Sequence, residues 1–260
     1  MSMTNLLQEH FPKGMVLPRK HLIDKGIQVY TIDNYLRSGK IKLLAKGIYT
    51  WSDAPAKAEG FLSSLPSLLQ QNVWVGGETA LEWQGLAHNV SFLEELHVCL
   101  YSESHIPHNI KLIAEQMEGL KVNWRSGSRL WDYSLLKIAP TSMSRNGFTV
   151  KVSTPEMAAL ELLHQLPESI SFELADHFLQ SLTQVSPKKM GELLIACKSV
   201  KAKRLFFWFA RRYKYPWNKY LSSADFDLGS GKRMIAKQGV LDNEFLITVP
   251  KDMQWVDTNG

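Results

Sequence analysis

Cysteine is scarce in this chain, with 2 among 260 residues. Cys99 and Cys197 lie far apart, each inside an apolar stretch. They are expected as buried reduced thiols, which excludes a small disulfide-stapled scaffold. No Cys/His cluster stands at ligand spacing, so neither structural zinc nor any other metal or cofactor is expected. Long apolar runs are also lacking: the densest, Leu205 to Ala210, is far too short to span a bilayer. The opening MSMTNLLQEHFPKG has no apolar core flanked by basic residues, so no secretory signal and no membrane partner are expected, and a cytoplasmic location follows. His88, His97, His105 and His108 lack partners at diagnostic spacing, and no Ser or Cys nucleophile arrangement is visible. What remains is a 45% hydrophobic chain, long enough for one large core or two domains.

Acidic residues are scarce in the first 52 positions. Glu9, Asp24 and Asp33 stand there against Lys13, Arg19, Lys20, Lys25, Arg37, Lys40, Lys42 and Lys46, an excess equal to the formal +5 of the whole chain. Basic residues gathered in one short segment point to a polyanionic partner, because Lys and Arg displace counterions from phosphates.

That segment has a legible pattern. Asn5 to Phe11 reads as a short helix broken by Pro12-Lys13-Gly14. A second helix follows Pro18 and runs to Lys25, with Gly26 as its turn. A third, Gln28 to Ser38, puts Val29, Ile32 and Leu36 on one face and ends at Gly39. Ile41 to Leu44 and Ile48 to Trp51 read as strands joined at Ala45-Lys46-Gly47. Three helices and a hairpin make a winged helix-turn-helix, whose third helix enters the major groove of duplex DNA. With Val29, Ile32 and Leu36 inward, Gln28, Thr31, Asn34, Tyr35 and Arg37 are left to read bases or phosphates. Arg19, Lys20 and Lys46 would contact phosphates from the second helix and the wing.

Beyond a linker near Ser52-Asp53-Ala54-Pro55, a strand, Val73 to Val75, runs through Gly76-Gly77 into a helix over Glu78 to Gly85. Such a turn suits a nucleotidyltransferase, but that chemistry needs two carboxylates one residue apart on a strand to hold magnesium. The candidate strand offers Glu95 and then His97. Ser153-Thr154-Pro155-Glu156 is a strong helix start after the strand Phe148 to Val152. In the helix Pro155 to Leu166, Glu161 and His164 are expected on a solvated face.

A second basic run spans residues 198–237, with Asp225 and Asp227 as its only acids. On a helix, Arg204, Trp208, Arg211 and Arg212 share a face. Together with Lys214, the three arginines offer a second basic surface for nucleic acid or an acidic partner, or else the solvated edge of a packed helix. Leu228-Gly229-Ser230-Gly231-Lys232-Arg233 lacks phosphate-loop spacing and reads as a structural turn. A β-hairpin is expected to pair Met234 to Ala236 with Phe245 to Pro250. The whole predicts an α+β fold: an N-terminal winged helix-turn-helix over residues 1–52, and a larger mixed α/β C-terminal domain over 53–260 that could divide near 145.

Six segments in order carry a resemblance: Gly39-Lys40-Ile41 with Lys46-Gly47-Ile48-Tyr49; Gly76-Gly77-Glu78-Thr79-Ala80-Leu81 with Gly85-Leu86; Ser153 to Ala158 with Leu160 to Leu163; Val200-Lys201 with Arg204-Leu205-Phe206; Leu228 to Arg233; and Ile247 to Pro250. In these the chain resembles the AbiEi antitoxins of abortive-infection, type IV toxin–antitoxin systems. The resemblance implies a non-enzymatic, phage-defence antitoxin that represses its own operon promoter through double-stranded DNA. It also implies a C-terminal domain that counters a cognate nucleotidyltransferase toxin, with or without touching it. Two alternatives are a regulator whose C-terminal domain senses a small ligand or dimerises, and a degenerate nucleotidyltransferase-like enzyme. The Tyr213 to Tyr220 segment matches no motif of that family.

Overall fold

A computed structural model describes residues 3–86 and 95–253, with side chains from Leu7 onward. His88 lies outside the described residues. The fold is α+β. The chain opens with α1 (Met3–His10), β1 (Leu17–Pro18), α2 (Arg19–Asp24), α3 (Val29–Arg37), β2 (Ile41–Ala45) and β3 (Ile48–Trp51). The three strands form one sheet in the order β1-β3-β2, with both pairings antiparallel. This is the winged-helix order with the extra short strand β1, which two residues ending in proline could not announce in the sequence. Leu7, Phe11, Leu17, Leu22, Ile32, Ile41 and Trp51 form its core. The Trp51 indole N–H donates to the Phe11 carbonyl at 2.7 Å, tying the last strand to the end of the first helix.

The chain continues through α4 (Ala58–Leu69), β4 (Val73–Val75), α5 (Gly77–Trp83), β5 (Leu96–Ser102), α6 (His108–Glu115), β6 (Leu120–Ser126), β7 (Thr141–Arg145) and β8 (Phe148–Val152). A second sheet has the order β6-β5-β4-β8-β7. β5 and β6 are parallel, and α6 provides the crossover that parallel neighbours require. β7 and β8 are joined by Asn146-Gly147, both at positive φ, the backbone of a tight hairpin turn. Among the described residues the chain forms two compact units. One takes in the chain up to Val75, β5 through Ser126, and Ser142–Lys151; the other takes in Gly76 and α5, Gly127–Thr141, and everything from Val152. In the first, α4 approaches the chain so closely that a Cβ on Gly60 would lie 2.0 Å from the Gly14 carbonyl oxygen. The adjacent Val16 N–H donates to Ser64 Oγ.

The second unit adds α7 (Pro155–His164), α8 (Phe172–Gln180), α9 (Pro187–Ala196), α10 (Val200–Tyr213), β9 (Val240–Asp242) and β10 (Ile247–Val249). Thr154 caps α7 by accepting from the Met157 N–H, with Pro155 next. Ser153 has a different partner, donating from Oγ to Glu161 Oε2 at 2.8 Å. The expected solvated face of α7 does not exist: every residue from Glu156 to Leu163 is buried, because α5, α8, α9 and α10 all pack against this helix. Glu161 is fully buried, and its Oε2 also accepts from the Gly77 N–H at 2.9 Å. Gly77 opens α5 at φ +54, a left-handed conformation that favours glycine. His164 Nδ1 lies 2.9 Å from the hydroxyl of Ser199, the residue that caps α10. The C-terminal hairpin also differs from expectation: β9 pairs with β10 antiparallel, and Arg233 reaches Ile247 only as an isolated bridge. Both cysteines are free and buried, and burial pushes the Cys197 thiol up to about 11. Among the described residues no helix is long and apolar enough to cross a membrane.

Two outcomes follow from these packed groups. Glu161→Ala leaves the Gly77 and Ser153 donors without an acceptor and lowers stability by roughly 1–3 kcal/mol, with a smaller loss for Glu161→Gln, read as shifts in the urea midpoint. A thiol reagent at pH 8 leaves Cys197 unmodified in the folded protein and labels it after denaturation, by intact-mass analysis.

Candidate nucleic-acid interface

α3 presents a different face from the one expected. Ile32 is fully buried, Thr31 is buried, and Tyr35 and Leu36 pack on the core, whereas Val29 is 47% exposed. The cause is aromatic: the Tyr35 ring meets Trp51 edge-on at 6.0 Å, which turns that side of the helix inward and its first residue outward. Lys40 lies over the same Tyr35 ring at 4.9 Å. Thr31 and Tyr35 are therefore packing residues. Gln28, Asn34 and Arg37 stay exposed, joined by Val29 and Tyr30. Arg37 Nη2 donates to Asn34 Oδ1 at 2.9 Å.

The three basic residues expected on phosphates have distinct settings. Arg19 bridges the domain: Nη1 donates to the Tyr49 hydroxyl at 3.0 Å and Nη2 to Asp33 Oδ1 at 2.7 Å. Those hydrogen bonds raise its pKa above the usual arginine value. Its backbone N–H donates to the Gly47 carbonyl, so the start of α2 is fastened to the β2–β3 turn. Lys20 is exposed and paired with Asp24 at 2.7 Å. Lys46 is exposed in the β2–β3 turn, next to Gly47 at φ +70.

The second basic surface is a correction. Arg204 is buried, 2% exposed, and all three of its guanidinium nitrogens donate to backbone carbonyls. Nε meets Leu228 at 2.7 Å, Nη2 meets Gly229 at 3.0 Å, and Nη1 meets Gly231 at 2.7 Å and Leu246 at 3.2 Å. The glycine-rich turn thus aims carbonyl oxygens at a cation, the reverse of a phosphate loop, whose amides face an anion. Arg211 pairs with Asp242 and Glu244 on and beside β9. Arg212 lies 3.2 Å from Asp176 and donates to the Met253 carbonyl. Lys214, exposed, ends α10 in a left-handed conformation. Helical spacing gave these arginines a shared face on α10 as an expectation only. It did not show that acids and carbonyls far along the chain would cover them.

The aromatic segment after α10 is a stacked column. Tyr215 stacks on Trp217 at 4.7 Å, and Trp217 on Phe206 at 5.6 Å. Its polar tips reach α8 and the turn after it: Tyr213 to Asp176, Tyr215 to the Leu179 carbonyl, and Trp217 Nε1 to the Leu182 carbonyl. Beside it, Lys214, Lys219, Leu241 and Glu244 border an open cleft of about 880 Å³.

Arg204→Ala orphans several buried carbonyls and lowers stability by about 3 kcal/mol or more, and Arg204→Lys does not restore it, because an ammonium cannot span the same acceptors; denaturant midpoints read both. Burial and the bond to Asp176 push the Tyr213 hydroxyl up to about 12 from its ordinary 10.0. The folded state therefore favours the neutral phenol. This contribution is full below pH 10 and lost as pH rises towards 12, so Tyr213→Phe flattens part of the alkaline fall in melting temperature.

β5 carries no carboxylate, and among the described residues no group of three or more His, Cys, Asp and Glu side chains could hold a metal ion. Family models match along the chain: the AbiEi antitoxin N-terminal domain of a transcriptional regulator over residues 1–92, and the transcriptional regulator, AbiEi antitoxin of type IV toxin–antitoxin systems, over 95–250. No curated protein matches significantly. The crystal structure of the RV2827C protein from Mycobacterium tuberculosis superposes with a TM-score of 0.54 at 14% identity, covering 94% of this chain and 88% of that one, a likeness of fold. The chain belongs to the AbiEi antitoxin family of transcriptional regulators.

Proposed function

We propose that this protein binds the promoter of its own operon as an autorepressor, with residues 1–52 as the DNA-binding module. We further propose that it counteracts a nucleotidyltransferase-type toxin without catalysing a reaction, as part of a cytoplasmic defence against phage. The observation that carries the DNA reading is the exposed surface of α3, with Gln28, Asn34 and Arg37 beside the Lys46 turn, in a segment that holds the chain's net positive charge. A helix carried in this way by a winged helix meets base edges in the major groove while the wing meets the backbone. The antitoxin reading rests on family membership and on a strand β5 without the acids that transferase chemistry needs.

A second reading, in which the C-terminal part senses a small ligand, draws on the open 880 Å³ cleft bordered by Lys214, Lys219 and Glu244. Ligand-dependent loss of promoter binding would favour it.

The full chain is expected to shift its promoter DNA, at an inverted or direct repeat, with affinity falling steeply as salt rises. Lys46→Ala weakens binding to all sequences and lowers the salt slope by about one ion. The full chain with Gln28, Asn34 and Arg37 all changed to Ala loses repression in a reporter strain yet still protects cells expressing the toxin. Loss of protection in that variant would mean that protection works through repression alone.

A further inference from the structure

We infer that α3 reads A·T base pairs, so that the operator core is A·T-rich and is recognised partly through thymine methyl groups. This rests on the DNA-binding reading above and names the sequence class that the surface fits. The major groove allots different side chains to different bases: Arg or Lys to guanine, Asp or Glu to the cytosine amino group, Asn or Gln to adenine, and apolar groups to the thymine methyl. On α3 both groups suited to G·C pairs already carry a hydrogen bond from within the protein, Asp33 half-buried and Arg37 at the surface. Asp33 accepts from Arg19 Nη2 at 2.7 Å, and Arg37 Nη2 donates to Asn34 Oδ1 at 2.9 Å.

The groups suited to A·T pairs are the exposed ones. Gln28 stands at the N-terminal end, where a recognition helix meets base edges. Val29 and Tyr30 follow it, 47% and 50% exposed, apolar surface that the domain's own core leaves uncovered. One turn on from Tyr30, Asn34 shares its stripe of the helix. The Arg37 hydrogen bond sets which amide atom of Asn34 is the oxygen. It leaves that oxygen a second lone pair and leaves both amide hydrogens, the set that a bidentate contact to adenine N6 and N7 requires. Arg37 is thus a positioning residue for Asn34.

Selection of binding sites from random-sequence duplexes by the full chain, followed by competition assays, tests this. The selected core is expected to be A·T-rich. Replacing its thymines with deoxyuridine, which removes only the methyl group, should lower affinity several-fold, and Val29→Ala should abolish that difference. Asn34→Ala and Gln28→Ala should each lose about tenfold discrimination at one position while keeping the salt dependence of wild type. These variants lie at exposed positions, so circular dichroism and melting temperature should match wild type. Tight binding to a G·C-rich core, or an A·T-rich core indifferent to deoxyuridine and to Asn34→Ala, overturns the inference and leaves DNA binding in place. No binding to any duplex at low salt overturns the DNA-binding reading and this inference with it.

Discussion

A carboxyl group shut away from water must find its donors within the chain, and Glu161 finds them at Gly77 and Ser153. In the second compact unit, α5, α8, α9 and α10 all pack against the helix that carries it. α7 is buried on all sides, so it has no wet face on which a polar side chain could rest, and leaving that acid without partners costs free energy comparable to losing a large apolar contact. The donors come from the residue that opens α5 and from the residue just before the α7 cap. One oxygen therefore sets the spacing of two chain segments that lie far apart in sequence.

Arg204 answers the same constraint with opposite sign. A guanidinium offers donors in a rigid fork, and the turn after residue 227 supplies carbonyls at positions that match it. The positive φ of Gly229 and Gly231 allows that turn to point its oxygens inward. Arg211 and Arg212 repeat the pattern with carboxylates. The three arginines of α10 in residues 198–237 are therefore internal wiring, whereas Lys198, Lys214, Lys219, Lys232, Arg233 and Lys237 are exposed, as are most cations of the winged helix.

The parts of this structure readable from sequence were those governed by local rules. Gly26, Gly39 and Gly47 mark where the winged-helix elements end, and Pro155 marks where α7 begins. The missing acids on β5 could be counted without coordinates. What could not be read depended on partners distant in sequence. Val29 and Tyr35 exchange inner and outer roles because Trp51, sixteen residues past Tyr35, offers a ring to pack against. The i, i+3 spacing of Glu161 and His164 looks the same on a solvated helix and on a central one. Hydrophobic periodicity loses its meaning once a helix is covered all round. On α3, the surviving candidates Gln28, Asn34 and Arg37 are the polar residues that no aromatic contact drew inward.

The discontinuity of the second unit has a consequence for synthesis. The winged helix is a continuous stretch with its own core, and every buried residue of that core has been synthesised once Trp51 is added. The second unit is threaded from separated pieces, and the guanidinium of Arg204 waits for Leu246 before its last acceptor exists. A chain still being translated thus completes the winged helix while the second unit is open, and an interrupted message yields a fragment that retains the first and lacks the second. For a family that pairs gene control with toxin protection, the order of residues along the chain staggers in time the two structures it builds.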